Sequence, residues 1–135
     1  MTARELNNVR ELNKKIRILE RHLEALRMSA ETIVPILDGL PHAAFAKSRV
    51  EKIALRTVST ERELEFLCTA LIKAKTGLAD KIMAEVDDPV YQTLLMLRYV
   101  EVLSFNQTAR RMRISLRHVF RLHEKFLRCH IDAQN

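Results

Sequence analysis

Apolar residues recur at alternating steps of three and four along the first part of the chain. They lie at Val9, Leu12, Ile16, Leu19, Leu23, Leu26, Ala30 and Ile33. Sustained three-four spacing keeps one apolar stripe facing a partner helix, as in a coiled coil. The pattern predicts a helix from Arg4 to Val34, about 45 Å long. Pro35 disfavours helical geometry in the residue before it, and Asp38 to Pro41 form a strong break, so the chain is expected to reverse there.

The same spacing continues in a second stripe after the break. Its members are Val50, Ile53, Thr57, Thr60, Leu64, Leu67, Leu71, Ala74 and Leu78. We predict one helix from about Ser48 to Val86, although the polar Thr57 and Thr60 also allow two abutting helices. Folded back on the first helix, it would form an antiparallel coiled-coil hairpin over residues 1–87 and bury both stripes within one molecule. Pairing between two chains is the alternative.

A second domain is predicted to begin at Asp88. This residue can cap a helix, and Pro89 suits the first helical position. A helix rich in apolar residues should run from Pro89 to about Val100. With the two helices described next, the sequence predicts an all-α fold in which the hairpin is followed by a three-helix domain over residues 88–135.

The segment from Ser104 to Leu127 has the spacing of a helix-turn-helix. Ser104 can cap a short helix from Phe105 to Met112, and the small Ala109 allows two crossing helices to approach closely. Ser115 can cap the second helix, which should start at Leu116. The inward-facing positions of such a pair fall three, five, ten and thirteen residues after the small residue. Apolar residues occupy all four of them, namely Met112, Ile114, Val119 and Leu122.

The exposed side of the second helix is predicted to bind double-stranded DNA. The first turns of this helix enter the major groove in such motifs, where arginine can pair with guanine and histidine or apolar side chains contact neighbouring base edges. The predicted base-reading residues are Leu116, Arg117, His118, Phe120 and Arg121. Phosphate contacts fix the register of the protein on the duplex. The predicted phosphate-binding residues are Arg110, Arg111, Arg113, Lys125 and Arg128.

Positive charge is concentrated in this segment. Residues 104–131 contain seven Lys and Arg against one acid, a net charge of +6 that equals the formal charge of the whole chain. The remaining residues therefore cancel among themselves. Charge confined to one small region indicates a face that binds a polyanion.

The same segment resembles region four of bacterial sigma factors, and with the lead-in before it the chain is similar to small phage-encoded sigma-like regulators. The residues that carry the resemblance are Leu97, Arg98, Tyr99 and Val100 in the lead-in, Ala109, Ile114 and Ser115 at the turn, and Val119 and Leu122 in the second helix. The resemblance covers the last third of the chain. It implies a transcription activator that contacts promoter DNA and RNA polymerase in a bacterial host cell.

Two positions differ from the family pattern. Thr108 stands where the family has a large aliphatic residue. Arg113 stands at the usual turn glycine, where a positive backbone angle costs a residue with a side chain about 1 kcal/mol.

Composition and sequence patterns narrow the possible fold classes and functions of the protein. Two glycines, three prolines and no tryptophan favour a helical protein without a glycine-rich phosphate loop. No apolar run approaches the roughly 20 residues that span a bilayer, and no signal peptide is apparent, so a cytoplasmic protein without membrane contact is expected. No catalytic group has a convincing base beside it, and no metal or other cofactor is predicted. His118, His123 and His130 are expected to be solvated.

Two other functions remain open at the level of sequence. A phage terminase small subunit also joins a helix-turn-helix to an oligomerising helical region and forms rings. A helical adaptor could use its basic face to bind an acidic protein, without nucleic acid. For the regulator we expect a homo-oligomer, with a dimer favoured, because two DNA-binding domains match a DNA site with two-fold symmetry.

Overall fold

The computed structural model describes residues 1–33 and 43–131. This part of the chain is helical, with no strand among the described residues, so the predicted all-α class is confirmed there. Its helices are α1 (Ala3–Ile33), α2 (Ala43–Glu85), α3 (Pro89–Leu95), α4 (Phe105–Met112) and α5 (Leu116–Phe126). π-Helical turns continue α3 over Met96–Val100 and α5 over Leu127–Ile131. No helix in residues 1–33 and 43–131 is long and apolar enough to cross a membrane.

A single helix, α2, occupies the stretch where the sequence allowed either one or two. It passes without interruption through Thr57 and Thr60. The Thr57 hydroxyl donates to the Ile53 carbonyl at 2.8 Å, so this polar side chain is satisfied inside the helix. The reversal predicted around Pro35 to Pro41 lies outside the described residues.

The chain divides into two compact units. Unit one comprises Met1–Asn13 and Ala70–Asn135, and unit two comprises Lys14–Thr69. The predicted division into residues 1–87 and 88–135 stays a prediction. The core of unit one draws on residues from both sides of position 88.

The described residues of unit one form two clusters of buried side chains. The larger joins the first turns of α1, the end of α2 and the helices after residue 88, through Met1, Leu6, Val9, Leu78, Ile82, Val86, Leu95, Tyr99, Phe126 and Ile131. The start of α1 is fixed by a reciprocal cap, because the Thr2 amide donates to Glu5 at 2.8 Å and the Glu5 amide donates to the Thr2 hydroxyl at 3.2 Å. Lys81 also donates to Glu5 at 2.5 Å. The smaller cluster lies between α3, α4 and α5 around Leu94, Ala109 and Val119.

The described part of unit two consists of the later part of α1 beside the earlier part of α2. Ile16, Leu23 and Leu26 of the first predicted stripe are buried, and Thr60 of the second is buried as well. The other members of the second stripe in this unit, Val50, Ile53, Thr57, Leu64 and Leu67, are half-buried. Arg27 pairs with Glu61 at 3.4 Å. The predicted stripes therefore correspond to the covered side of each segment.

Candidate nucleic-acid interface

Capping side chains fix the first turns of α3 and α4. Asp88 accepts a hydrogen bond from the Val90 amide at 2.8 Å, with Pro89 at the first helical position, as predicted. Ser104 accepts from the Gln107 amide at 3.1 Å, and the Gln107 side chain accepts from the Ser104 amide at 3.0 Å. This capping box satisfies two amide donors that would lack helical partners. The predicted cap at Ser104 is confirmed.

Thr108 stands where the sigma region-four pattern has a large aliphatic residue, and in this structure its polar group has a partner. It is fully buried, and its hydroxyl donates to the Ser104 carbonyl at 2.8 Å. The hydroxyl is thus paired within the first turn of α4. Ala109 beside it is also buried, which permits the close approach of α4 and α5 that the sequence predicted.

The turn between α4 and α5 passes through a left-handed residue. Arg113 has φ 59° and ψ 40°, at the position where the resemblance to sigma region four implies a positive backbone angle. The Ile114 amide donates to the Ala109 carbonyl at 3.1 Å and closes the turn. Ser115 then accepts from the His118 amide at 3.1 Å and caps α5, as predicted.

We expect Arg113→Gly to raise the free energy of unfolding by about 1 kcal/mol, because glycine adopts positive φ without a steric penalty. Arg113 is exposed, so the substitution removes no core packing. Urea unfolding followed by circular dichroism measures the change. Arg113→Ala is the matched control: it removes the charge but keeps the strain, and should give no gain. Equal stabilisation by both substitutions would contradict the backbone explanation.

The four inward-facing positions pack as the spacing predicted. Val119 is fully buried against Leu94 and Ala109, and the other three, Met112, Ile114 and Leu122, are half-buried against the same cluster. This packing leaves the opposite side of α5 exposed.

Four of the predicted DNA-binding residues share one concave surface on α5. Arg117, His118, Arg121 and Lys125 line it together with the cap residue Ser115. All four side chains are exposed. Backbone amides at the start of the helix add partial positive charge beside them. The surface can therefore accept anionic or hydrogen-bond-accepting groups of a ligand.

A groove of about 740 Å³ adjoins this surface. Arg111, His118 and Lys125 lie along it, with Val90 and Leu122 contributing apolar lining. Arg110 and Arg111 lie together in a separate small concavity beside Gln107. The cations of α4 and α5 therefore occupy neighbouring surfaces of unit one.

The remaining predicted residues are placed differently. Arg128 pairs with Glu124 at 2.6 Å, so its charge is partly compensated. Phe120 is 46% exposed and packs on Phe105, with ring centroids 4.8 Å apart. Leu116 is half-buried. Arg113 is exposed on the turn.

His123 corrects the expectation that the histidines of this segment are solvated. It is half-buried, and its Nε2 lies 2.5 Å from the Tyr99 hydroxyl. Its ring also meets the edge of Phe105, with centroids 5.1 Å apart. His118 and His130 are exposed. The interval of 24 residues between Tyr99 and His123 gave no local signal of this contact.

A buried arginine, Arg98, packs against Phe105, the residue that also contacts His123. Arg98 donates to the Leu103 carbonyl at 2.8 Å, and its guanidinium carbon lies 4.2 Å from the centre of the Phe105 ring. Its Nε has no hydrogen-bond partner in the described part of the chain. Burial lowers the pKa of His123, and the positive charges of Arg98 and Arg10 lower it further. Burial raises the pKa of Tyr99.

The depressed pKa of His123 makes stability depend on pH. As pH falls below about 6.5, the unfolded chain takes up a proton at this residue before the folded chain does. The stabilisation is therefore full above that pH and declines below it. We expect the free energy of unfolding of the wild type to fall between pH 7.5 and 5.5, and His123→Gln to show a flatter profile in urea titrations at each pH. His118→Gln, at an exposed position, should keep the wild-type slope. Parallel profiles for wild type and His123→Gln would contradict this assignment.

No protein-family model, characterised protein or solved structure matched this chain, so the candidate interface rests on its own geometry.

Proposed function

We propose that this protein is a sequence-specific regulator of transcription that binds double-stranded DNA through α5. One observation carries the proposal: Arg117, His118, Arg121 and Lys125 form one exposed cationic surface on a helix that is capped and packed from behind. Such rigid support fixes the side chains that meet base edges. In this proposal α3, α4 and α5 form a helix-turn-helix reading head of the sigma region-four type.

The residues are assigned two roles. Arg117, His118 and Arg121, with Leu116 and Phe120 beside them, contact base edges. The phosphate-binding set consists of Arg110, Arg111, Arg113, Lys125 and Arg128. The pairing of Arg128 with Glu124 makes it the weakest member of that set.

We assign α1 and α2 to an antiparallel hairpin arm. In unit one Glu5 contacts Lys81, and in unit two Arg27 contacts Glu61. Within each unit, these pairs join the α1 segment to the α2 segment. The arm serves self-association, which brings two reading heads to one DNA site.

The resemblance to sigma region four supports a further part of the proposal. The regulator acts in the cytoplasm of a bacterial host and recruits RNA polymerase to its promoters. Retention of polymerase on promoter DNA carrying the protein, compared with DNA alone, tests this part separately from DNA binding.

Selection of bound fragments from random DNA, followed by titration at several salt concentrations, tests DNA binding. We expect one enriched motif and an affinity that falls steeply with salt, with a slope of log K against log salt of about −0.9 per phosphate contacted. A scrambled fragment is the control and should bind much more weakly. Failure to bind any fragment at low salt would refute the proposal and favour an acidic protein partner. A salt-dependent affinity without enrichment would refute sequence specificity.

A further inference from the structure

An apolar face of α2 within unit two is exposed, with no cover from the described residues of that unit. Leu55 and Phe66 are each 72% exposed, and Val58 is 46% exposed. The interval of 11 residues between Leu55 and Phe66 is close to three helical turns, so both lie on one face. Ser59 and Arg62 fall between them, which gives steps of four, three and four from Leu55 to Phe66. The apolar side chains of this face therefore lie at its two ends, with a serine and an arginine between them.

This face lies on the side of α2 opposite to the predicted stripe. By helical periodicity, Ile53, Thr57 and Leu64 lie about half a turn away from Leu55 and Phe66. Those three residues are half-buried. Ile53 lines a concavity together with Leu26 of α1, and Leu64 lines one together with Leu23 of α1. A helix with apolar residues on two opposite sides is expected to have a packing partner on each. Among the described residues of unit two, α1 supplies one of these partners and the second face has none.

Charge indicates which partner fits the second face. In a parallel pairing of two copies, Arg62 would lie against Arg62 of the other copy, and the like charges would repel. In an antiparallel pairing with a two-fold axis between residues 60 and 61, Arg62 lies opposite Ser59 of the other copy. The same register places Leu55 opposite Phe66, and it brings Arg56 near Glu63 on the flank of the contact. Each of these pairs occurs twice, so one face of α2 complements itself.

We propose that this face binds a second copy of this chain, with the two α2 helices antiparallel. The contact buries Leu55 and Phe66 of both copies and joins Arg56 of each to Glu63 of the other. This inference rests on the self-association in the proposed function and not on DNA binding, so the two are tested by separate measurements.

Sedimentation equilibrium of the full chain without DNA tests the interface. We expect a dimer, and we expect Phe66→Lys to raise its dissociation constant by about a hundredfold or more, because each copy loses an apolar contact and gains a charge there. Ile18→Lys is the matched control. Ile18 is also exposed in unit two, but its helical neighbours Lys14, Lys15, Arg21 and His22 are all basic. A monomeric wild type, a ring of many copies, or a dimer unaffected by Phe66→Lys would overturn the interface.

A charge exchange tests the antiparallel register. Arg56→Glu and Glu63→Arg should each weaken the dimer by about tenfold, since either places like charges together. The double substitution restores opposite charges and should recover most of the lost affinity. Loss without recovery in the double variant would overturn the register, whereas recovery would exclude a merely structural role for either residue. A monomeric variant that still binds a half-site would leave the DNA proposal intact.

Discussion

Replacing Arg117 and Arg121 together with alanine should lower the affinity for the selected DNA by at least about a hundredfold. Both side chains are exposed on the concave surface of α5, and a bidentate contact between arginine and guanine contributes about 1–3 kcal/mol of discrimination. The affinity for scrambled DNA should fall much less, so the ratio of the two should decrease. Fluorescence anisotropy with both fragments at one salt concentration measures this ratio.

Two single substitutions serve as controls for the double variant. Arg128→Ala removes a cation that already pairs with Glu124, and should have little effect on either fragment. Arg110→Ala should weaken both fragments alike and reduce the salt slope by about one. Unchanged discrimination in the double variant would show that α5 does not contact base edges.

Phe126→Ala should lower the free energy of unfolding by about 3–5 kcal/mol, the usual range for a large aromatic residue in a core. Phe126 is 1% exposed and lies in the larger cluster of unit one. Its ring stacks on His130 with centroids 4.5 Å apart and meets Tyr91 at 5.6 Å. Since domains are commonly stable by only 5–15 kcal/mol, the loss is a large part of the total. Chemical denaturation monitored at 222 nm by far-ultraviolet circular dichroism, a standard helical signal, measures it.

Phe120→Ala is the matched control for this loss. Its ring is 46% exposed and contacts Phe105 at the surface, so the expected decrease is much smaller. Equal losses at positions 120 and 126 would contradict the assignment of Phe126 to the core.

The α4–α5 region was predictable from sequence because its signals are local. Ser104 and Ser115 cap helices that begin at the next residue, and the Ala109 spacing identified the inward positions. Arg113 stands where sigma region four has a turn glycine, and this resemblance implied the positive φ that the structure has. Each of these features depends on residues no more than 13 positions apart in the chain.

The tertiary contacts that pack against α5 and α1 were not predictable in the same way. His123 lies on the same helix as the exposed His118, and its contacts with Tyr99 and Phe105 distinguish it. Likewise, the spacing in α1 identified Val9 as a buried position but could not tell which residues cover it. The structure places Val9 with Ile82 and Phe126, far away along the chain. Periodicity identifies a buried face, whereas the identity of its partner depends on tertiary packing.

Val102 and Arg113, which both have positive φ, should differ in the substitutions that they tolerate during evolution. Val102 has φ 57° and packs against the larger cluster, while Arg113 has φ 59° and is exposed. A change to glycine relieves the backbone at both sites, but at position 102 it also removes a packed side chain. We therefore expect substitution by glycine or asparagine to be tolerated at position 113 and to be rare at position 102.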